Sequence, residues 1–183
     1  PLDFTDAVLS GRSTGVPGVV AMLGMAQKEH GKIGWNQLFA EAEQLADGGF
    51  TVSPRLASFI NAGRNQAVSE WATRYFTKAD GTRYQAGDTL RNPEYARTLR
   101  RLATEGPSVF YEGELPRQMI AATHAQPRPG GLSMQDFANY RPLRRDPLCR
   151  PYRIYVVCVP APPSSGVAIL QFLGMAEKTP DLA

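Results

Sequence analysis

The sequence has few of the residues from which metal and redox centres are usually built. Its 183 residues include two histidines, His30 and His124, and two cysteines, Cys149 and Cys158. No second cysteine pair and no histidine lies beside these cysteines, which excludes a zinc site of the usual ligand spacing. We therefore predict no metal and no cofactor. We interpret both histidines as structural residues at predicted helix ends, where the helix dipole favours an imidazole.

Long apolar runs and a marked charge excess are missing as well. No run approaches the roughly 18 residues that a membrane-spanning helix needs, and the N-terminus shows no signal-peptide pattern. Twenty Lys and Arg against seventeen Asp and Glu give a formal charge of +3, too small to indicate a nucleic-acid or membrane partner. With 43% apolar residues, the chain is expected to fold around a core. It opens on Pro1 without an initiator Met, which we interpret as a piece of a longer protein.

The state of the two cysteines stays open at this point. Cys149 and Cys158 lie nine residues apart, and a straight strand of that length would hold its ends about 30 Å apart, beyond disulfide reach. We therefore expect buried free thiols. A bridge across a hairpin turn and a reactive thiol are the alternatives.

Apolar spacing and capping residues predict mainly helices up to about residue 140. Ser53-Pro54 and Asn92-Pro93 each place a capping side chain before a proline at the first helical position. Ser133 and Asp136 resemble a capping box. Residues 1–10 show no clear period and are expected to form an arm. In the helix predicted from Trp35 to Ala46, Leu38 and Leu45 are expected to face inward. The other predicted helices are Val19 to near Gly31, Pro54 through Ile60, Pro93 to near Gly106, Leu115 to Thr123 and a short helix after Ser133.

Strand signals are shorter and stand mainly in the last third of the chain. Asp80-Gly81 suits the tight turn of a hairpin between residues 74–76 and 82–84. The run 152–159 is rich in β-branched and aromatic residues and predicts a strand. After it, a last helix is expected to begin at Ser164 or Ser165.

Two further stretches were considered as anion sites. The glycines from Gly11 to Gly18 could present backbone N–H groups to a phosphate, but the Lys-Ser/Thr pair and the preceding strand of such a loop are missing. We interpret this stretch as the structural start of a helix. The basic group in the last third reads as either an anion site or a hydrated face, and we favour the hydrated face; it comprises Arg141, Arg144, Arg145, Arg150 and Arg153.

The turn Pro162-Pro163-Ser164-Ser165-Gly166 is the most specific local motif. A nucleophile elbow needs glycine two places before and after its serine, and neither Ser164 nor Ser165 has this pattern. We interpret the motif as a helix cap, with Gly166 allowing a close backbone approach. Direct contact of Ser164, Ser165 and Gly166 with a substrate is the alternative.

The order of these motifs resembles the γ-glutamyltransferase family. The resemblance is weakest between residues 61 and 84, and Val167 stands where the family usually has a second glycine, which argues against a role that needs a bare backbone there. The matching stretches are GRSTGVPGVVA (11–21), LADGGFTVSPRLA (45–57), AGDTLRNPEYARTLRRLATEGPSVFYEG (86–113) and GGLSMQDFANYRPLRRDPLCRPYRIYVVCVPAPPSSG (130–166).

The resemblance implies an N-terminal nucleophile hydrolase, made as a precursor that cuts itself into two subunits. A threonine at the start of the small subunit attacks the γ-glutamyl amide of glutathione or a similar donor. By resemblance this threonine lies downstream of the chain and a carboxylate-binding arginine lies upstream, so we assign no catalytic residue within it. The implied partners are the small subunit and a γ-glutamyl donor. The localisation is unknown, and only the resemblance suggests a periplasmic or secreted protein.

Together these observations predict an α+β fold, mainly helical with short antiparallel strands, as part of an αββα architecture. We expect a single partial domain over residues 1–183, belonging to the large subunit of a γ-glutamyl-transferring or glutathione-hydrolysing enzyme and inactive alone. A related N-terminal nucleophile acylase and a non-catalytic interaction domain are the alternatives.

Overall fold

The computed structural model describes residues 3–63, 69–125 and 127–179. The chain divides into two compact units, residues 1–142 and residues 143–183. The described residues are mainly helical with short antiparallel strands, which confirms the predicted class. The expectation of a single partial domain stays a prediction.

The first unit consists of helices joined by turns, together with a two-stranded antiparallel sheet. Its strands are β1 (Phe50–Thr51) and β2 (Thr89–Leu90). Single turns of 3-10 helix lie at Gly11–Ser13, Trp35–Phe39 and Pro107–Phe110. The α-helices are α1 (Phe4–Val8), α2 (Val19–His30), α3 (Ala40–Gly48), α4 (Pro54–Asn61), α5 (Glu70–Tyr75), α6 (Pro93–Glu105), α7 (Glu114–Thr123) and α8 (Met134–Asn139).

Side-chain caps begin several of these helices where the sequence predicts them. Ser53 and Asn92 each accept the backbone N–H of the residue three positions later, at 3.1 and 2.9 Å. Ser133 and Asp136 form the predicted capping box, in which Asp136 Oδ2 accepts the Ser133 N–H at 2.8 Å. Bonds from the Ser133 hydroxyl and N–H hold the pKa of the Asp136 carboxyl below its ordinary value. Local capping chemistry therefore fixes the starts of α4, α6 and α8.

The core of the first unit lies in two apolar clusters. In one, the strands pack against α4; in the other, α3 packs against α6. The buried members of the first cluster are Val52, Ala57, Ile60 and Leu90, and those of the second are Ala46, Ala96 and Leu99.

Three predictions for the first unit are wrong in detail. The helix expected over 35–46 begins as a 3-10 turn and becomes α3 only at Ala40; Leu38 and Leu45, expected to face inward, are exposed. Residues 74 and 75 belong to the end of α5 and form no hairpin strand. The first ten residues, expected to be an arm, contain α1. The turn at Gly81 is confirmed: its φ is +83° and a single bridge joins Thr77 to Arg83.

The second unit is a β-hairpin followed by a helix. Strand β3 (Leu148–Tyr152) pairs antiparallel with β4 (Tyr155–Val159), so that Leu148 faces Val159 and Tyr152 faces Tyr155. Helix α9 (Gly166–Ala176) contacts both strands. The continuous strand predicted over 152–159 is wrong, because Arg153, at φ +54°, turns the chain there.

Candidate functional site

The serine turn singled out by the sequence lies in the second unit, between β4 and α9. Ser164 and Ser165 are exposed, whereas Gly166 is buried. Ser165 precedes the helix with φ −69° and ψ −1°, and its side chain accepts no bond from a helix N–H. A capping serine instead has extended dihedrals. The predicted side-chain cap is therefore wrong at Ser165, the residue that directly precedes α9.

Gly166 is fixed by close packing, as the sequence predicts. A Cβ at this position would stand 2.7 Å from the Pro160 carbonyl oxygen and 2.7 Å from Val159 Cβ. Such distances leave no room for any side chain. The turn that carries the two serines is thus held against the end of β4. A contact of these residues with substrate stays a prediction.

The five arginines of the basic group are all exposed and make separate local contacts. Arg145 Nη1 donates to the Pro162 carbonyl at 2.8 Å, which ties down the chain just before the serines. Arg150 lies 3.9 Å from the Glu177 carboxylate, and Arg153 donates its backbone N–H to Glu177 at 2.9 Å. Arg141 donates to the carbonyl oxygens of Ala138, in α8, and of Tyr140, which follows it. This pattern supports a hydrated face.

The cysteines are joined, which corrects the expectation of buried free thiols. Cys149 and Cys158 face each other across β3 and β4, with their Cα atoms 4.1 Å apart, and form a disulfide. The segment between the cysteines is not a straight strand, because the chain turns at Arg153 and brings residues 149 and 158 together. Of the alternatives, the bridge across a hairpin is confirmed. Both cysteines are exposed.

A groove of about 940 Å³ lies wholly within the first unit, and no local sequence pattern indicates it. Its walls come from α2, from the segment around Pro107 and from α8, segments far apart in the chain. Aromatic rings dominate the lining, and charged groups accompany them. The aromatic members are Trp35, Tyr111, Phe137 and Tyr140, and the charged ones are Lys28, Glu29, Glu112 and Arg141.

Tyr111 anchors this groove. Its hydroxyl accepts the Ala21 N–H at 2.9 Å and donates to the Pro17 carbonyl at 2.7 Å, which satisfies backbone groups at the start of α2. Burial raises the pKa of the Tyr111 phenol. The Tyr140 ring stacks on the Tyr111 ring, with the ring centroids 5.9 Å apart. The Tyr140 hydroxyl lies so close to Gly18 that a Cβ at position 18 would collide with it. The groove therefore offers a largely apolar surface, and the Tyr111 hydroxyl is already hydrogen-bonded to two backbone groups.

Both histidines lie at helix ends, as predicted. His30 is the last residue of α2 and lies 3.6 Å from Glu29. His124 follows α7, and its Nε2 lies 2.8 Å from the Leu132 carbonyl oxygen. These partners indicate that each imidazole has a structural contact.

The described residues also bear on metal binding and on membrane spans. Within residues 3–63, 69–125 and 127–179, no three or more His, Cys, Asp or Glu side chains are grouped so as to hold a metal ion. Among the helices in this part of the chain, none has the length and apolar character to cross a bilayer.

The fold matches solved transpeptidase structures closely. It superposes on γ-glutamyltranspeptidase from Helicobacter pylori with a TM-score of 0.84 and 29% identity, over 93% of this chain and 49% of that chain. A cephalosporin acylase from Bacillus halodurans matches with a TM-score of 0.75 and 27% identity, over 88% of this chain and 31% of that one. The fold is therefore that of the N-terminal nucleophile hydrolases to which these transpeptidases belong.

The sequence comparison gives the family. A family model described as γ-glutamyltranspeptidase matches residues 3–183. Human glutathione hydrolase 7 is 34% identical over 168 residues, which is 91% of this chain and 25% of the human protein. The chain belongs to the γ-glutamyltranspeptidase family, and it spans about a quarter of the length of that relative.

Proposed function

We propose that this chain is part of the large subunit of an enzyme that transfers the γ-glutamyl group of glutathione or related γ-glutamyl amides. The acceptors are water, amino acids or peptides. The observation that carries the proposal is the family match over residues 3–183, together with the identity to human glutathione hydrolase 7. We propose further that the nucleophile is a threonine of the small subunit of the same precursor, outside residues 1–183.

The contacts of the described residues support a structural contribution. Acyl transfer needs a nucleophile with its own base and an oxyanion hole. His30 contacts Glu29, His124 contacts a carbonyl oxygen, and the Tyr111 hydroxyl bonds two backbone groups. None of these three groups is paired with a serine or threonine hydroxyl. The chain would therefore bind and position other parts of the enzyme.

Ser164 and Ser165 are the residues of this chain that we propose could reach a substrate. Both are exposed, and the Ser165 hydroxyl makes no cap bond at the start of α9. Gly166 packing and the bond from Arg145 to Pro162 hold the turn from both sides. Such support is what a contact residue needs to keep a fixed position.

The experiment uses the protein encoded by the longest reading frame that contains this sequence. It is incubated with a chromogenic γ-glutamyl anilide and a dipeptide acceptor, with the corresponding α-glutamyl anilide as the matched control. Aniline release from the γ-linked substrate alone, accompanied by a γ-glutamyl dipeptide product, is the expected result. Equal aniline release from the γ-glutamyl and α-glutamyl anilides would contradict the γ-glutamyl assignment.

An acylase for other amides is the second candidate, because the Bacillus halodurans cephalosporin acylase shares the fold at 27% identity. The same preparation is offered a cephalosporin side-chain amide. Turnover of that amide without turnover of the γ-glutamyl anilide would replace the first candidate by the second. A reading frame without any further segment, and a protein inactive on both, would favour a non-catalytic interaction domain.

A further inference from the structure

The second unit buries little apolar surface. Among its described residues, 143–179, the buried ones are Val159, Gly166 and Gly174. Ile154 is 88% exposed and Val156 is 68% exposed. A two-stranded hairpin is marginally stable in water without further support. Support for β3 and β4 must therefore come from something other than a packed core.

The disulfide is the strongest such support. Cys149 and Cys158 are directly opposed in the hairpin register and join β3 to β4 covalently. Both residues are exposed, so a small thiol in solution can approach the bridge. Access is one of the conditions for thiol exchange at a folded protein, beside the reactivity of the attacking thiolate and of the leaving thiol.

The bridge also connects to the serine turn. Cys158 is followed by Val159, the buried residue of β4 against which Gly166 packs. If β4 separates from β3, the strand against which Gly166 packs loses its pairing partner. The exposed Ser164 and Ser165 lie immediately before that glycine in the chain.

We propose that Cys149–Cys158 is a thiol-exchange site, at which small thiols such as glutathione open the hairpin and loosen the turn at Ser164 to Gly166. A thiolate attacks one cysteine sulfur, the disulfide bond breaks, and the other cysteine leaves as a thiolate that takes up a proton. A second small thiol, as its thiolate, then attacks the small-molecule sulfur of the mixed disulfide. The cysteine that was attacked first is released and takes up a proton, and the two small molecules leave joined as a disulfide. Two small thiols thus supply the two electrons and two protons. The choice of glutathione rests on the proposed function; the exchange chemistry does not.

The test measures the reaction and its consequence on the same sample. The 183-residue chain is incubated without denaturant in reduced glutathione, and free thiols are alkylated and located by peptide mass spectrometry. Amide hydrogen exchange is then compared between β3–β4 and α6. S-methylglutathione, which lacks the thiol, is the control for simple binding. The Cys149→Ser, Cys158→Ser double variant is the control for the opened hairpin.

Alkylation of both cysteines, with exchange in β3–β4 faster by at least about tenfold and α6 unchanged, is the expected result. Reoxidation must restore slow exchange, which keeps the test valid even if the double variant does not fold. The proposal is overturned by sulfurs that react only after denaturation, by free thiols in the untreated chain, or by exchange that reduction leaves unchanged. Cysteine alkylation and amide exchange do not depend on enzyme turnover. The result therefore remains valid even if the γ-glutamyl assignment fails.

Discussion

The two units of the chain are stabilised by different means. In the first, Val52 and Phe137 are each 1% exposed, and buried clusters join helices to strands. In the second, Phe172 is 62% exposed, and the hairpin is joined to α9 through Glu177 and to itself through a disulfide. Apolar burial thus stabilises the described part of the first unit, whereas covalent and polar links contribute more in residues 143–179.

The largest effect is expected from Phe137→Ala. Loss of a fully buried aromatic ring should lower the free energy of unfolding of the first unit by about 3–5 kcal/mol. Tryptophan fluorescence during urea unfolding measures this unit selectively, since Trp35 and Trp71 both lie in it. Phe59→Ala is the matched control, because Phe59 is 61% exposed, and its loss should cost less than about 1 kcal/mol. Equal losses for the two variants would contradict a core at Phe137.

Replacing both cysteines by serine should lower the free energy of opening of the hairpin by about 2–3 kcal/mol, since the bridge closes a short loop of the unfolded chain. Amide exchange across β3 and β4 measures this opening. The urea midpoint from tryptophan fluorescence should stay unchanged. A shift of that midpoint, with hairpin exchange unaffected, would reverse the contrast between the units.

Gly166→Ala should destabilise the second unit by about 1–3 kcal/mol, because the new methyl group has no space beside Val159 and Pro160. Exchange of the α9 amides is the measurement. Gly131→Ala is the control, since no atom lies within 4 Å of a Cβ built there. If the two variants behave alike, the packing argument for the serine turn fails.

A smaller difference is expected between two serines that both precede helices. Ser133→Ala should cost about 1 kcal/mol, because its hydroxyl caps α8. Ser165→Ala should stay within about 0.5 kcal/mol, because the Ser165 hydroxyl makes no such bond. Thermal melts compare the stabilities of the two variants. Amide hydrogen exchange at α8 and α9 then shows which helix each substitution affects. A larger cost at Ser165 would restore the capping interpretation of the serine turn.

The capping box also predicts a pH dependence. The Ser133 bonds lower the pKa of Asp136 below its usual 3.8. A lowered folded-state pKa contributes stability above the unfolded value, and this contribution is lost as the pH falls through the folded value. The loss should therefore occur below about pH 4, and Asp136→Asn should abolish it. A melt series between pH 2 and pH 6 in both proteins measures the difference; an identical series would contradict it.

Local chemistry explains what could be predicted from the sequence. Ser53, Asn92 and the pair Ser133 and Asp136 sit next to the backbone groups that they cap, so their roles follow from residues at most three positions apart. The family resemblance followed from the order of such local motifs. The helix caps and the family resemblance thus both depend on short local stretches of sequence.

Contacts between distant parts of the chain, and a turn without a sequence signal, explain what could not be predicted. The aromatic groove depends on Tyr111 bonding Pro17 and Ala21, about 90 residues earlier, and no local pattern announces that contact. The hairpin was misread because Arg153 and Ile154 carry no glycine or proline turn signal within a strand-like run. That single error also led to the wrong state for both cysteines. The substrate role of Ser164 and Ser165 remains a prediction.

The measurement that tests the central claim most directly compares this chain with the protein of the longer reading frame in the γ-glutamyl anilide assay. The account predicts aniline release by the longer protein and none by residues 1–183 alone above a mock-purified control. Release by the 183-residue chain, abolished by Ser164→Ala or Ser165→Ala, would contradict it and assign the chemistry to a serine of the second unit.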